Sequence, residues 1–512
     1  MKYDVVVAGG GLGGLTAGAI LAKRGKKVLL VEKHNVVGGC AVTFRRKDLL
    51  VEATLHEMDG LDKNDIKPAI INELGISSSV EFIRVPEFYR VVKGSLDFVM
   101  PDNVEAAAAK LIKQFPREHK GIEKFFRVIS DMGAWMATIP MEPWRLLLRL
   151  PFYFPFWYYH IFRYMKKDVG SFVDSIISDE DLKLILMANV GYYHDDPYEL
   201  GMVYYGVAQG SYFSGGGHYI KGGSQQLSNA MAKVITDNGG EVLTRNEVTR
   251  VVLENGRATG VKYRKTSKTH PERHKEIFAE ADVVIANLPL PNLINHMMPD
   301  YRNEKFKARM GAMALPGSAT IVFLGFSRPL KGIGNKCYST FVCGDTVDSI
   351  KQIKEDSRNA DYKSKSYAFV EYGMIDSGLA PEGKSVGSIA IGDDISNWEG
   401  LSREEYKAKK DEVARIFIDR LDKLVPGAKE LVIYSEVATP VTIKRYTGNP
   451  KGVFYGFAQT VGQDMMSRPI SIPGVDNLLI SSAWGLPGGG LSGVIIGGNF
   501  CADKARRILD KK

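Results

Sequence analysis

The chain has 512 residues, 45% of them hydrophobic and 25% charged, with a formal net charge of +8. That composition gives a globular protein of two or three domains with a substantial core, and the mild basic excess favours an anionic surface without calling for nucleic acid. The four cysteines, Cys40, Cys337, Cys343 and Cys501, fit neither a zinc spacing nor a disulfide framework, so no metal site and a reducing, cytoplasmic setting are expected.

Lys2 to Ala8 reads as a β-branched strand at the very start, which leaves no room there for a signal or transit segment. Gly9-Gly10-Gly11-Leu12-Gly13-Gly14 follows, then a helical pattern from Leu15 to Arg24, a second strand from Lys27 to Val31, and Glu32. Strand, glycine turn, helix, strand and acid form the dinucleotide-binding order. In that reading Gly9 makes the tight turn and Gly11 lets the backbone approach a pyrophosphate. Gly14 lets helix and strand pack closely, the helix N-terminus offers its free N–H groups, and Glu32 holds ribose hydroxyls.

Glycine signals return twice. Gly215 to Ser224 opens a second block: a helix from Gln226 to Asp237, strands at Glu241 to Leu243, Val248 to Glu254 and Thr259 to Tyr263, and a buried apolar strand from Ala281 to Asn287. This pattern predicts an antiparallel ribbon feeding back to the first sheet. The third block has a strand at Asn477 to Ile480, seven glycines between Gly485 and Gly498, and a closing helix from Asn499 to Leu509. One domain is therefore expected from residues 1–75, 215–300 and 435–512. Residues 76–214 and 301–434, richer in helical patterns and aromatics, form the substrate portion.

After Glu32, the glycine pair Gly38-Gly39 completes an E-x5-GG pattern that resembles the second signature of FAD enzymes. Gly222-Gly223-Ser224, Asp376 to Lys384, Thr439-Pro440, Arg445-Tyr446 and Leu486 to Val494 extend the likeness over nearly the whole chain. Together they resemble the phytoene desaturase, carotenoid isomerase and retinol saturase superfamily. Gly38-Gly39-Cys40-Ala41-Val42-Thr43-Phe44 is most similar to the retinol saturase and carotenoid isomerase branches.

The resemblance implies an α/β fold: a glutathione-reductase-like Rossmann FAD-binding domain assembled from discontinuous segments, with an inserted α+β substrate domain. It implies non-covalent FAD held by Gly9, Gly11, Leu12, Gly14, Glu32, Lys33, Gly38, Gly39, Thr43, Val248, Gly488, Gly489, Leu491 and Ser492, with NAD(P)H as a candidate electron donor. It implies action on a carbon–carbon double bond of a hydrophobic polyene or isoprenoid-like lipid, with saturase-type reduction favoured over desaturation or cis–trans isomerisation. A non-catalytic flavoprotein or lipid-binding module is the alternative of another class, and amine oxidase chemistry is disfavoured. The chain departs from the family in one place. Where the family has a Gly-Asp pair after the last strand, this sequence reads Ser481-Ser482-Ala483-Trp484. An indole does not accept a hydrogen bond, so ribityl recognition falls to Ser482 or to backbone groups.

Residues 152–164 hold nine aromatics in thirteen positions, flanked by Arg145, Arg149, Arg163, Lys166 and Lys167. The run is too short and too broken by proline to span a bilayer, which needs about 20 apolar residues. Residues 143–167 are therefore expected to make a monotopic contact with an anionic membrane surface; the competing reading is an aromatic core or tunnel wall.

The proton partner of a flavin must be titratable or a hydroxyl. His56 and Tyr193 are the catalytic candidates, with Tyr192, His194 and His218 as further cavity-lining residues. Tyr455 and Cys40 are expected to pack near the flavin.

Overall fold

The computed structural model describes residues 2–62, 65–137, 148, 151–152, 159–267, 272, 274–463 and 465–511. At its centre the strand Lys2–Ala8 lies between Val28–Val31 and Ile277–Ala286, parallel to both, with Val5 opposite Val28 and Val283. Glu241–Leu243 extends the sheet beyond Val28–Val31, and Val475–Ile480 pairs with the C-terminal half of Ile277–Ala286, again in parallel. The N-terminal half of that same strand turns outward to pair with the antiparallel ribbon Asn246–Glu254 and Arg257–Lys265.

A parallel sheet covered on both faces calls for unbroken apolar strands. Val5, Val6, Val7 and Ala8 are all fully buried. The helices Leu12–Lys23, Ser224–Asp237 and Leu491–Leu509 cover one face, and the ribbon lies toward the other. The strands of this sheet come from residues 2–31, 241–286 and 471–480.

Its partner is a seven-stranded sheet in the order Val432–Ala438, Ser318–Phe326, Ser385–Asp393, Tyr367–Glu371, Ser339–Val342, Tyr89–Lys93, Leu96–Met100. Neighbouring strands are antiparallel except where Tyr89–Lys93 meets Ser339–Val342. Helix Arg403–Leu424, started by a capping box between Ser402 and Glu405, contributes Val413, Phe417 and Leu421 to the core of this sheet. A helical group that includes His119–Ala137 and Met202–Gly215 packs around Tyr89 and Phe98.

Three details differ from the sequence reading. Residues 301–434 supply most of the second sheet and only one long helix. Val432–Ala438 crosses the boundary expected at 434, because the whole strand is held against Ser318–Phe326. Tyr301, Phe306 and Met310, placed in the substrate portion, pack into the core of the dinucleotide domain.

Candidate active site

A single cavity of about 1990 Å³ runs from the N-terminal glycine turn to the interface of the two sheets. Most small-molecule pockets occupy roughly 300–1,000 Å³, so this one has room for a dinucleotide and a second elongated ligand.

At one end it is bordered by Gly9, Gly11, Leu12, Glu32, Lys33, Gly38, Gly39 and Val248. Helix Leu12–Lys23 begins at Gly11 with no side-chain cap and no acidic residue in its first turn, and Leu15 makes the first intrahelical bond back to Gly11. The N–H groups of the first turn are left for an anion. Gly11 is needed for close approach, since a Cβ there would sit 2.5 Å from Asn287 Oδ1. Its own N–H is already committed to that oxygen at 2.9 Å.

Glu32 is 5% exposed; its Oε2 accepts from Gly10 N at 2.7 Å and its Oε1 from His34 N at 2.8 Å. A carboxylate has about four acceptor sites, so the positioned group keeps capacity for ribose hydroxyls. Burial lowers the pKa of Lys33 beside it, against the pull of Glu32 and Glu247. Gly38 and Gly39 both have positive φ, 126° and 64°, a pair of conformations that side chains resist.

Two of the cofactor candidates stand off the lining. Gly14 packs beneath the turn, where a Cβ would lie 2.6 Å from Gly9 O, in keeping with its helix–strand role. Thr43 does not border the cavity: its Oγ1 lies 3.3 Å from Glu52 Oε2 and 3.4 Å from Gln225 N, so the hydroxyl is spent on fixing its own hairpin.

The other wall is the turn Gly488–Gly490 and the start of helix Leu491–Leu509. Val494 N bonds to Gly490 O, so the N–H groups of Leu491, Ser492 and Gly493 precede the first helical bond. The Ser492 hydroxyl donates to Asp59. Asp59 and Asp65 grip Lys67, whose Nζ lies 3.3 and 2.6 Å from them and which is 1% exposed. Burial opposes the charge on Lys67, but the two carboxylates outweigh it and raise its pKa. The sequence shows no signal for this triad, because Asp59, Asp65 and Lys67 look like ordinary surface charges.

Trp484 is 2% exposed, donates its indole N–H to Asn449 Oδ1 at 3.0 Å and meets Phe457 edge-on. Both it and Ser482 border the cavity, with the indole N–H already committed to Asn449. Arg468, 4% exposed and also unread in the sequence, donates to Ala483 O at 3.0 Å and underlies Gly488. Burial pushes the Cys40 thiol up to about 11, as suits a packed rather than a reactive cysteine.

Between the two ends lies His56. The segment carrying it is held by three tyrosines: Tyr372 donates to Leu55 O at 2.9 Å, Tyr338 to His56 O at 2.5 Å and Tyr212 to Glu57 O at 3.4 Å. Burial lowers the His56 pKa to about 4, so the imidazole is neutral. Glu57 has both carboxyl oxygens buried without a hydrogen-bond partner; burial, with Glu87 and Asp59 nearby, holds its pKa well above the usual range.

Tyr193 borders the cavity, but its hydroxyl is tied to Gln209 Oε1 at 2.7 Å. Its neighbour Tyr192 is the residue that meets His56, with its hydroxyl 3.1 Å from Nδ1. His194 and Tyr455 border the cavity; His218, paired opposite Met58, does not. The substrate end of the cavity is apolar, with Leu184, Met187, Val190, Val207, Phe341 and Met465 in its wall. It reaches Ser130 and Gly133, close to the end of helix His119–Ala137.

A family profile described as flavin-containing amine oxidoreductase matches residues 12–505. Among curated proteins, the chain is 26% identical to a chloroplastic prolycopene isomerase 2 from an Oncidium hybrid cultivar, over 99% of this chain and 84% of that protein. It is 24% identical to the all-trans-retinol 13,14-reductase of Danio rerio, over 88% of this chain and 77% of that protein. Among solved structures, an oxidoreductase from Methanosarcina mazei matches with a TM-score of 0.62 at 18% identity, covering 98% of this chain and 100% of that one. A putrescine oxidase variant matches at 0.64 and 16% identity, covering 100% of both chains. At these identities the solved structures establish the shared fold.

Proposed function

The chain belongs to the flavin-containing amine oxidoreductase family and is an FAD-dependent enzyme; from that premise we propose that it acts on a carbon–carbon double bond of a polyene or isoprenoid-like lipid. Reduction is the favoured reaction, with desaturation and cis–trans isomerisation as its close relatives in chemistry. The observation that carries the reading is the continuity of the cavity, which joins the dinucleotide end to an apolar chamber with no break. The relatives match over most of the chain and bear names describing a prolycopene isomerase and a retinol reductase, which supports a hydrophobic, conjugated substrate.

Bound FAD supplies a hydride donor or acceptor beside the substrate double bond. The first turn of helix Leu12–Lys23 would receive its diphosphate, and Glu32 its ribose hydroxyls. The N–H groups of Leu491 to Gly493 would face the electron-rich end of the flavin ring, where a helix N-terminus stabilises negative charge by roughly 0.3–1 kcal/mol or more. Asp59, fixed by Lys67, holds Ser492 and thus the start of that helix.

Entry of a lipid is served by a peripheral membrane contact through residues 143–167. Positions 153–158, the centre of that segment, lie outside the described residues. The described positions beside them support the reading: Leu148, Phe152, Tyr159 and Phe162 are 64, 75, 50 and 54% exposed, a cost in water that a bilayer removes. Among the described residues, no helix is long and apolar enough to cross a membrane.

The test is anaerobic photoreduction of the purified flavoprotein followed by addition of polyenes, with saturated lipids and amine-derived imines as controls. Reoxidation by a polyene, with the product one double bond poorer, supports the reading; reoxidation by amine-derived imines alone overturns it. Replacing light with NADH or NADPH in the same cuvette reads whether a nicotinamide is the electron source.

A further inference from the structure

We propose that Tyr192 is the proton donor to the substrate carbon and that His56 is its positioning residue. The assignment rests on the reading of the protein as a polyene double-bond enzyme and adds the group that supplies the proton.

Tyr192 ends the short 3-10 turn Val190–Tyr192, which sends consecutive tyrosine side chains in different directions. Tyr193 goes to Gln209, deep in the helical core. Tyr192 goes to the cavity, its ring edge-on to His56 at 5.8 Å and to Phe341 at 5.6 Å between centroids. Its hydroxyl stands 3.1 Å from His56 Nδ1, and His56 Nε2 stands 3.4 Å from the Ser388 hydroxyl. Ser388 is in turn 3.4 Å from Tyr372, whose hydroxyl ends on Leu55 O. This row of groups reaches the cavity at one end, through His56 and Tyr192.

Donors and acceptors in the row are matched. Because the single Tyr372 proton goes to Leu55 O, Ser388 Oγ–H donates to the Tyr372 oxygen, His56 Nε2–H to Ser388 Oγ and the Tyr192 hydroxyl to His56 Nδ1. The phenolic proton is thus held by a neutral imidazole at the cavity wall, and rotation about the phenol C–O bond delivers it to the cavity. Glu57, Tyr212, Tyr338, Tyr372 and Tyr455 also face this site electrostatically. None of them is a cation, so the phenol keeps its proton at rest: burial, then Glu57, hold its pKa well above the usual value. A weak acid of this kind releases its proton only to a strong base.

Such a base forms when a double bond takes hydride from reduced flavin at one carbon. The Tyr192 O–H bond breaks as a C–H bond forms at the other carbon, using the π electron pair; the alkene is reduced by two electrons and the flavin oxidised by two. The phenolate left behind accepts a hydrogen bond from Ser339 until water restores its proton.

The test uses the holoenzyme with flavin photoreduced under anaerobic conditions and a polyene that reoxidises the wild type. Removing a general acid slows a reaction by about 100-fold or more, so Tyr192→Phe should cut the reoxidation rate by at least that factor with lipid affinity and flavin spectrum unchanged. His56→Gln should slow it less and shift its pH profile. In wild-type enzyme in D2O, one deuterium should enter the product at the carbon not attacked by hydride, with a solvent isotope effect on reoxidation.

A readout independent of turnover is 15N NMR of histidine-labelled apoprotein, in which Tyr192→Phe should perturb the Nδ1 signal of a neutral histidine that His56→Gln deletes. Wild-type reoxidation rates in Tyr192→Phe, or an unperturbed imidazole signal, overturn the assignment and leave the polyene reading standing. A wild type that no polyene reoxidises overturns both.

Discussion

The side-chain oxygen of Asn287 accepts the backbone N–H of Gly11 at 2.9 Å, across 276 residues of sequence. The same amide donates to Ser481 O, and Asn287 N bonds to Ala8 O at 2.8 Å. One residue thus fastens the glycine turn, the second block and the end of the last strand at the point proposed for the cofactor diphosphate.

Replacing Asn287 with leucine leaves the Gly11 N–H and the Ser481 carbonyl without their partner. Each such group costs about 1–3 kcal/mol. The variant should melt several degrees lower and carry less flavin per chain, read from the ratio of visible to ultraviolet absorbance. Gly11→Val drives a side chain directly into Asn287 and should yield colourless protein; full flavin content in that variant contradicts the placement of the diphosphate.

Lys67→Met strands Asp59 and Asp65 without their buried cation. Breaking one partner of a buried ion pair typically costs about 3–5 kcal/mol, and here the loss is passed to Ser492 through Asp59. Chemical denaturation should show a loss of this order together with a shifted flavin spectrum. A stable variant with an unchanged spectrum would show that the triad does not brace the helix start.

His56 gives a pH signature with a definite sign. Burial sets its folded pKa at about 4, below the unfolded value of about 6.5, so between these values the unfolded chain binds a proton that the folded one refuses. The stability this group contributes is whole above about pH 6.5 and is lost as pH falls toward 4. Melting temperature followed across that window should fall less steeply in His56→Gln than in the wild type; parallel curves would contradict a buried neutral imidazole.

Serine at Leu148, Phe152 and Phe162 removes exposed apolar surface at about 1.5–3 kcal/mol for each side chain fully inserted. Co-sedimentation with anionic liposomes should drop more than 100-fold in affinity, with FAD retained. The residual binding should be salt-sensitive, since each nearby basic residue contributes about 1 kcal/mol. Unchanged sedimentation would assign the segment to interior packing.

Much of the dinucleotide domain is legible in the sequence because its strands are apolar throughout and its turns need glycine. The strand Lys2–Ala8, the ribbon and the placement of Glu32 follow directly. The final helix is legible too: its pattern is plainest from Asn499, the Gly488–Gly490 turn marks a start near Ser492, and the helix begins at Leu491. Gly498 within it is there for contact, since a Cβ on it would lie 2.6 Å from Thr16 Cβ and 2.7 Å from Gly13 O. In the site, the choice between Tyr192 and Tyr193 rests on a one-residue turn direction that no periodicity carries. The buried charges of Lys67 and Arg468 are held by partners only a few to fifteen residues away, none of them in the same helix or strand as the charge.

The three-part construction of the nucleotide domain also sets the order of biosynthesis. Strand Val475–Ile480 and helix Leu491–Leu509 are made about two hundred residues after the strand Ile277–Ala286, yet one completes the parallel sheet and the other bounds the cavity. Pairing so distant in sequence is slow to form. A nascent chain therefore presents the glycine turn and Glu32 well before the strand and the helix that complete the sheet and the cavity wall.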